Sequence, residues 1–270
     1  MPTPLPLILL AGVPRSGTSW LGEIVNSSPV VAYRFQPLFA YATTGQVDEK
    51  STAEHYRIWC DALLRSTDPF LLQTEKRQHR DFPTFAKAPA EVLALKEVRY
   101  LYVLRSMLEQ LPEAKLVGII RHPCAVLASW FNAPRESPPG SNPVDDWRLA
   151  SAKNADRRSE FYGFAKWCEA AAMFLSLAEQ HPKRVRIVHY DRFVADPIPQ
   201  AKALFHDLGL AWTAQTLDFV RCSRETQRAD TYAVFKSQSI GAAWRERVPA
   251  PIIAEIECEL RGTPLERFLQ

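Results

Sequence analysis

The run Leu7–Trp20, LILLAGVPRSGTSW, limits the fold more than any other stretch of this chain. Five aliphatic residues with no polar interruption read as a strand buried on both faces, and such strands belong to parallel sheets covered by helices. The run stops at Gly12, passes through a short polar turn and resumes as a helical pattern from Thr18. Gly12 and Gly17 stand at the spacing of a phosphate-binding loop, G-x-x-x-x-G-K-[ST], with Thr18 in the lysine position. The backbone logic of such a loop survives that exchange. Glycine permits the tight turn, and the N–H groups of Ser16, Gly17, Thr18, Ser19 and Trp20 open the following helix, where its dipole favours an anion. The hydroxyls of Ser16, Thr18 and Ser19 are further donors. The cation of this loop is Arg15, whose guanidinium stays protonated and donates in a planar fork.

Further short aliphatic runs at Leu116–Ile120 and Val185–His189, and a weaker one at Ala94–Val98, read as additional strands. Amphipathic stretches between them predict helices over Thr18–Asn26, Ala53–Arg65, Leu101–Gln110, Pro123–Trp130, Glu160–Gln180, Ile198–Gly209 and Ala250–Arg261. Strands alternating with helices imply an α/β, three-layer, doubly wound fold around a central parallel sheet, with the phosphate loop after the first strand. The 270 residues fit one domain, 1–270. Asn132–Trp147, rich in Pro, Ser and Asn, reads as an exposed loop of the kind that forms a lid or substrate wall.

Composition narrows the partners. A formal net charge of +3 is too small an excess to argue for nucleic acid. The five cysteines, Cys60, Cys124, Cys168, Cys222 and Cys258, lack metal-ligand spacing and suit buried positions in a reducing compartment, so no metal site is expected. The N-terminal apolar run lacks a basic flank and is interrupted by prolines, and no run is long enough for a membrane helix. A cytoplasmic protein is expected; nothing in the pattern specifies an oligomeric state.

The segment VPRSGTSWL resembles the 5′-phosphosulfate loop of sulfotransferases that use 3′-phosphoadenosine 5′-phosphosulfate (PAPS). A second stretch, KLVGIIRHPCAVLASW, is similar to the next cofactor segment of that family, where a strand ends in Arg-x-Pro and a serine follows eight residues after the arginine. Arg121 and Ser129 take those positions, and the resemblance assigns both to the 3′-phosphate of PAPS. His122 departs from the usual Asp or Asn and reads as a turn residue capping the next helix. The segment VRIVHYD, followed by a helix ending in Leu-Gly-Leu, resembles a third landmark, with Tyr190 and Asp191 structural. VFKSQSIGAAWRERV resembles the C-terminal cofactor-closing segment, which would bring Lys236 and Arg245 towards the 3′-phosphate. The family implies transfer of a sulfuryl group without Mg²⁺, giving adenosine 3′,5′-bisphosphate (PAP) and a sulfate ester.

Transfer to an alcohol calls for a base. Glu97, in ALKEVRYL, is the candidate; family members with Lys-x-His in a similar stretch would align Lys96 but place Val98 at the histidine. His55, His79 and His189 are alternatives without a motif. Tyr33–Tyr41, YRFQPLFAY, offers aromatic rings and Gln36 for an acceptor pocket, and its polar–aromatic mix suits a carbohydrate or another small hydroxyl acceptor. Two other readings stay open. A P-loop kinase or NTPase would use Asp191 as a Walker-type carboxylate for Mg²⁺. A non-catalytic nucleotide-binding module would bind PAP and transfer nothing.

Overall fold

The first strand, β1 (Leu7–Ala11), is the middle of the sheet, and its alternating side chains define the two cores. The computed structural model describes residues 5–79, 82–133, 136–225 and 243–270. Five strands pair in the order β2-β3-β1-β4-β5, every pair parallel. The others are β2 (Val31–Phe35), β3 (Val92–Glu97), β4 (Lys115–Ile120) and β5 (Val185–His189). The helices in chain order are α1 (Thr18–Asn26), α2 (Ala53–Arg65), α3 (Pro69–Leu72), α4 (Thr74–Arg77), α5 (Val103–Gln110) and α6 (Pro123–Phe131). There follow α7 (Ser151–Asn154), α8 (Phe164–Gln180), α9 (Tyr190–Ala195), α10 (Pro197–Leu208), α11 (Ala214–Glu225) and α12 (Ala250–Leu260).

Successive strand residues point to opposite faces. Leu7, Leu9 and Ala11 join a core with side chains of α2, α5, α6, α8 and α12. Ile8 and Leu10 join a second core built from α1, α10 and α11. Helices therefore cover both faces, which is why β1 carries no polar residue. The expected three-layer, doubly wound architecture is the one observed.

Several expected bounds move. Strand β2 escapes the sequence reading because it is a short edge strand with Arg34 in its middle; that guanidinium is buried by donating to the carbonyls of Leu63, Leu64 and Tyr33. Strand β3 begins two residues earlier than expected and ends at Glu97. Helix α8 starts at Phe164, not Glu160, because Gly163 at its N-cap sits at φ 86°. Helix α10 ends on Gly209 in the left-handed region, as its position suggested. Helix α11 was not anticipated. Of the five thiols only Cys124 is fully buried, and Cys222 and Cys258 are exposed. No helix among the described residues is long and apolar enough to cross a membrane.

Candidate active site

The carboxyl ends of β1, β3 and β4 lie side by side, with Ala11 paired to Glu97 on one side and Gly118 on the other. In an open parallel sheet this edge is where ligands bind. The loop leaving β1 is held close to β4: a Cβ on Gly12 would stand 2.7 Å from the carbonyl oxygen of Ile119. The Ser16 N–H closes the turn on the Val13 carbonyl at 3.2 Å. Arg15, at φ 72°, and Gly17, at φ 91°, both lie in the left-handed region. A non-glycine residue held there is strained and persists where its surroundings over-determine it. Gly17 also has no room for a side chain, since its Cβ would come within 2.3 Å of the Tyr190 ring.

The two cofactor-like segments, far apart in sequence, meet here. Arg15 Nε donates to Ser129 Oγ at 3.1 Å, and Arg121 Nη1 donates to the Arg15 carbonyl at 3.2 Å. Ser129 reaches this point from the C-terminal turn of α6, which starts at the Pro123 that follows Arg121 and His122. Ser16 and Thr18 are buried in the loop, Ser19 is exposed, and Trp20 is half-buried against Tyr190 and Phe193, its Nε1 donating to Ser223 Oγ at 3.0 Å.

Supports behind these residues were only partly legible. Tyr190, at the start of α9, lies under the site: its ring faces Gly17 and carries the Arg121 guanidinium 4.8 Å from its centroid. Trp167 of α8 donates to the Arg121 carbonyl at 2.9 Å. Asp191 accepts from the His122 backbone N–H at 3.1 Å, tying the start of α9 to the end of β4. His122 is the N-cap of α6, its Nδ1 accepting from the Cys124 N–H at 3.2 Å, and its ring stacks on Trp244 at 4.2 Å. Burial pushes the His122 imidazole down to about 4, so it is neutral at pH 7. Arg245 is exposed and lies over Trp244, in the layer that covers His122; Lys236 lies outside the described residues.

Glu97 is the last residue of β3 and is 1% exposed. Its Oε1 accepts from the Leu38 N–H at 2.7 Å. Burial pushes its carboxyl up to about 8, and burial pushes the neighbouring Lys96 down to about 7, with Lys96 Nζ 4.4 Å from the Phe35 centroid. Of the other histidines, His189 packs on Phe268 and contacts the Arg267 carbonyl, while His55 and His79 are exposed on the outer segments. The aromatic run after β2 divides: Tyr33 faces the core beside Gly22, whereas Tyr41 is fully exposed and Phe39 partly so. The 132–147 loop is tied down at Glu136, whose carboxylate accepts from Tyr162 and pairs with Lys153 at 3.5 Å.

The chemistry of the unsatisfied atoms differs across the site. Near the loop, the buried atoms without a hydrogen-bond partner are Ser16 Oγ and Arg121 Nε, both able to donate. At the ends of β2 and β3 they are Gln36 Oε1, an acceptor as assigned, and Glu97 Oε2, the oxygen left to hold the proton of that carboxyl. Buried polar atoms are rarely left without a partner, and such exceptions call for an explanation. Donors beside Arg15 and a helix N-terminus suit an anionic group. No group of three or more His, Cys, Asp or Glu residues able to hold a metal occurs among the described residues.

Comparison with known proteins agrees with this geometry. A search of curated proteins returns no match. Among solved structures, retinol dehydratase in complex with androsterone and inactive cofactor PAP superposes with TM-score 0.58 at 16% identity, covering 98% of this chain and 83% of that one. A mouse sulfotransferase complexed with PAP gives TM-score 0.56 at 15% identity, with 97% and 87% covered. The sulfotransferase domain of a Synechococcus olefin synthase gives 0.55 at 16% identity, covering 97% of both chains. These likenesses establish the fold. The profile of the sulfotransferase family matches residues 6–214, from β1 through the start of α11, and on that match this chain belongs to the sulfotransferase family.

Proposed function

We propose that this chain, acting as one domain over residues 1–270 in the cytoplasm, moves a sulfuryl group from PAPS to the hydroxyl of a small-molecule or glycan acceptor, releasing PAP and a sulfate ester. The observation that carries the reading is the meeting of Arg15, Arg121 and Ser129 beside the N-terminus of α1. The family and the PAP complexes of two similar folds support the same donor.

The residues present fit such a donor. The loop N–H groups of residues 16–20, with Ser16, Thr18 and Ser19, would hold its 5′-phosphosulfate, and Arg121 with Ser129 its 3′-phosphate. When bound, PAPS supplies an activated sulfuryl group on a good leaving phosphate. Arg15 is strained into position and fixed through Ser129, so its guanidinium meets developing negative charge without reorganising. Glu97, at the adjacent strand end, holds a carboxyl whose proton affinity is matched to neutral pH, as a general base requires. Leu38 N–H fixes one of its oxygens and leaves Oε2 to take the proton.

A kinase or NTPase reading gains nothing from the geometry. Thr18 stands at the lysine position, and Asp191, the carboxylate that reading needs, accepts from the His122 backbone. Transfer of ³⁵S from labelled PAPS to a panel of hydroxyl acceptors tests the proposal. Labelled ester that persists in EDTA and disappears in Arg15→Ala is expected. PAP binding with no ester from any acceptor, and no effect of Glu97→Gln, would instead mark a binding module.

A further inference from the structure

Strand β4 ends one residue before Arg121, and its last pair in the sheet is Ile120 with His189. The peptide between Arg121 and His122, just past that pair, is gripped at both ends by side chains. Its carbonyl accepts from Trp167 Nε1 at 2.9 Å, and its N–H donates to Asp191 Oδ2 at 3.1 Å. The direction of the Arg121 side chain, and so the place of its guanidinium over Tyr190, starts from this peptide. Both grips lean on the turn that follows α12. There Thr263 Oγ1 accepts from the Leu265 N–H at 3.2 Å, Glu266 Oε2 accepts from the Gly262 N–H at 2.9 Å, and the Phe268 N–H donates to the Leu265 carbonyl at 3.0 Å. The turn drives the Phe268 ring inward, to 2% exposure. That ring stands almost perpendicular to the Trp167 indole, at 83° with centroids 6.3 Å apart, and lies 5.4 Å from the His189 ring. His189 Nε2 is 3.3 Å from the Arg267 carbonyl, which can only accept, so this nitrogen carries the proton. Phe268 therefore packs on the indole that holds the Arg121 carbonyl and on the strand residue two before Asp191, which holds the N–H.

We infer that Phe268 is a positioning residue of the donor site, setting Arg121 through Trp167 and the end of β5. Aromatic pairs favour edge-to-face geometry, so the Phe268 ring fixes the tilt of the Trp167 indole and with it the direction of Nε1. A hydrogen bond weakens steeply as its angle closes, so a small rotation of that indole loosens its hold on the Arg121 carbonyl. An aliphatic side chain at 268 would fill much of the same space without that direction. The turn Glu266–Phe268 is in this way coupled to the group that would read the 3′-phosphate, although it lies in the layer behind it. The inference rests on the assignment of Arg121 to the 3′-phosphate of the donor.

The test is calorimetric binding of PAP and of adenosine 5′-monophosphate, which lacks the 3′-phosphate. The proteins are the full chain as wild type, Phe268→Leu, Phe268→Met and Trp167→Phe, each at a temperature where its melting curve shows it folded. Wild type is expected to bind PAP more tightly than the monophosphate. Each variant should weaken PAP about 3–10-fold and leave the monophosphate unchanged. Phe268→Leu combined with Trp167→Phe should lose less than the product of the two single losses, because both act on one hydrogen bond. A purely structural role for Phe268 would lower the melting temperature without moving the ratio of the two affinities. Equal losses for the two nucleotides, or a wild-type ratio in both Phe268 variants, would overturn the inference. A wild type with no preference for PAP would instead overturn the donor reading on which it rests.

Discussion

Single residues at this site do more than supply functional groups. Gly17 is required twice, by its φ of 91° and by the Tyr190 ring 2.3 Å from where a Cβ would be. Gly17→Ala should therefore lower stability by about 1–3 kcal/mol and abolish PAP binding, both readable in one melting experiment. Glu97→Gln preserves shape while removing the proton acceptor. Its kcat is expected to fall about 10²–10⁴-fold with PAP affinity intact, and the rise of wild-type activity with pH towards the Glu97 value of about 8 should vanish. An unchanged pH profile in the variant would remove Glu97 from the mechanism. His122 offers a separate acid-side test. Its folded value of about 4 lies below the ordinary 6.5, so between those values the unfolded chain binds more protons and stability falls as pH falls. Around it, Asp191 opposes that depression while Arg245, Arg121 and His189 add to it. His122→Asn keeps an N-cap side chain, and urea titrations at pH 7 and 5 should show a smaller acid loss than in wild type.

At the level of elements, the loop after β1 is held because both ends of α1 are fixed. Its N-cap, Gly17, meets the Tyr190 ring, and its last residue, Asn26, is held by Lys87, whose Nζ donates to Asn26 Oδ1 at 2.9 Å and to the Ser28 carbonyl at 3.1 Å. Burial depresses Lys87 to about 8, and the buried Glu23 of α1 pairs with Arg77 of α4 at 3.2 Å. Helix α6 contributes through Ser129. Ser129→Ala should weaken PAP binding severalfold by removing a hydroxyl donor and freeing Arg15 Nε, without a large change in melting temperature, because Ser129 is only half-buried. Much at this scale was legible in the chain. β1, β4 and β5 are aliphatic enough to be read directly, and the loop and the Arg121–Ser129 spacing lie in contiguous motifs. β2 was not, because Arg34 breaks its apolar run and its guanidinium donates to carbonyls of α2 that sequence cannot place there. Nor could sequence show that Tyr190 packs on Gly17, since that contact joins β5 to the loop across the sheet.

The whole molecule joins these parts through one sheet order. Placing β3 and β4 on either side of β1 sets Glu97 and Arg121 on opposite flanks of the same loop. It also makes the identity of the nucleotide the most consequential question. The direct measurement is the melting temperature with PAP, ATP or GTP, each with and without Mg²⁺, for wild type and Arg121→Ala. A ligand at about a hundred times its Kd adds roughly 2.7 kcal/mol, several degrees for a chain of this size. A shift with PAP that needs no Mg²⁺ and is lost in Arg121→Ala is the expected result. A shift only with Mg²⁺ and ATP or GTP would contradict the sulfuryl-donor site and turn attention to Asp191.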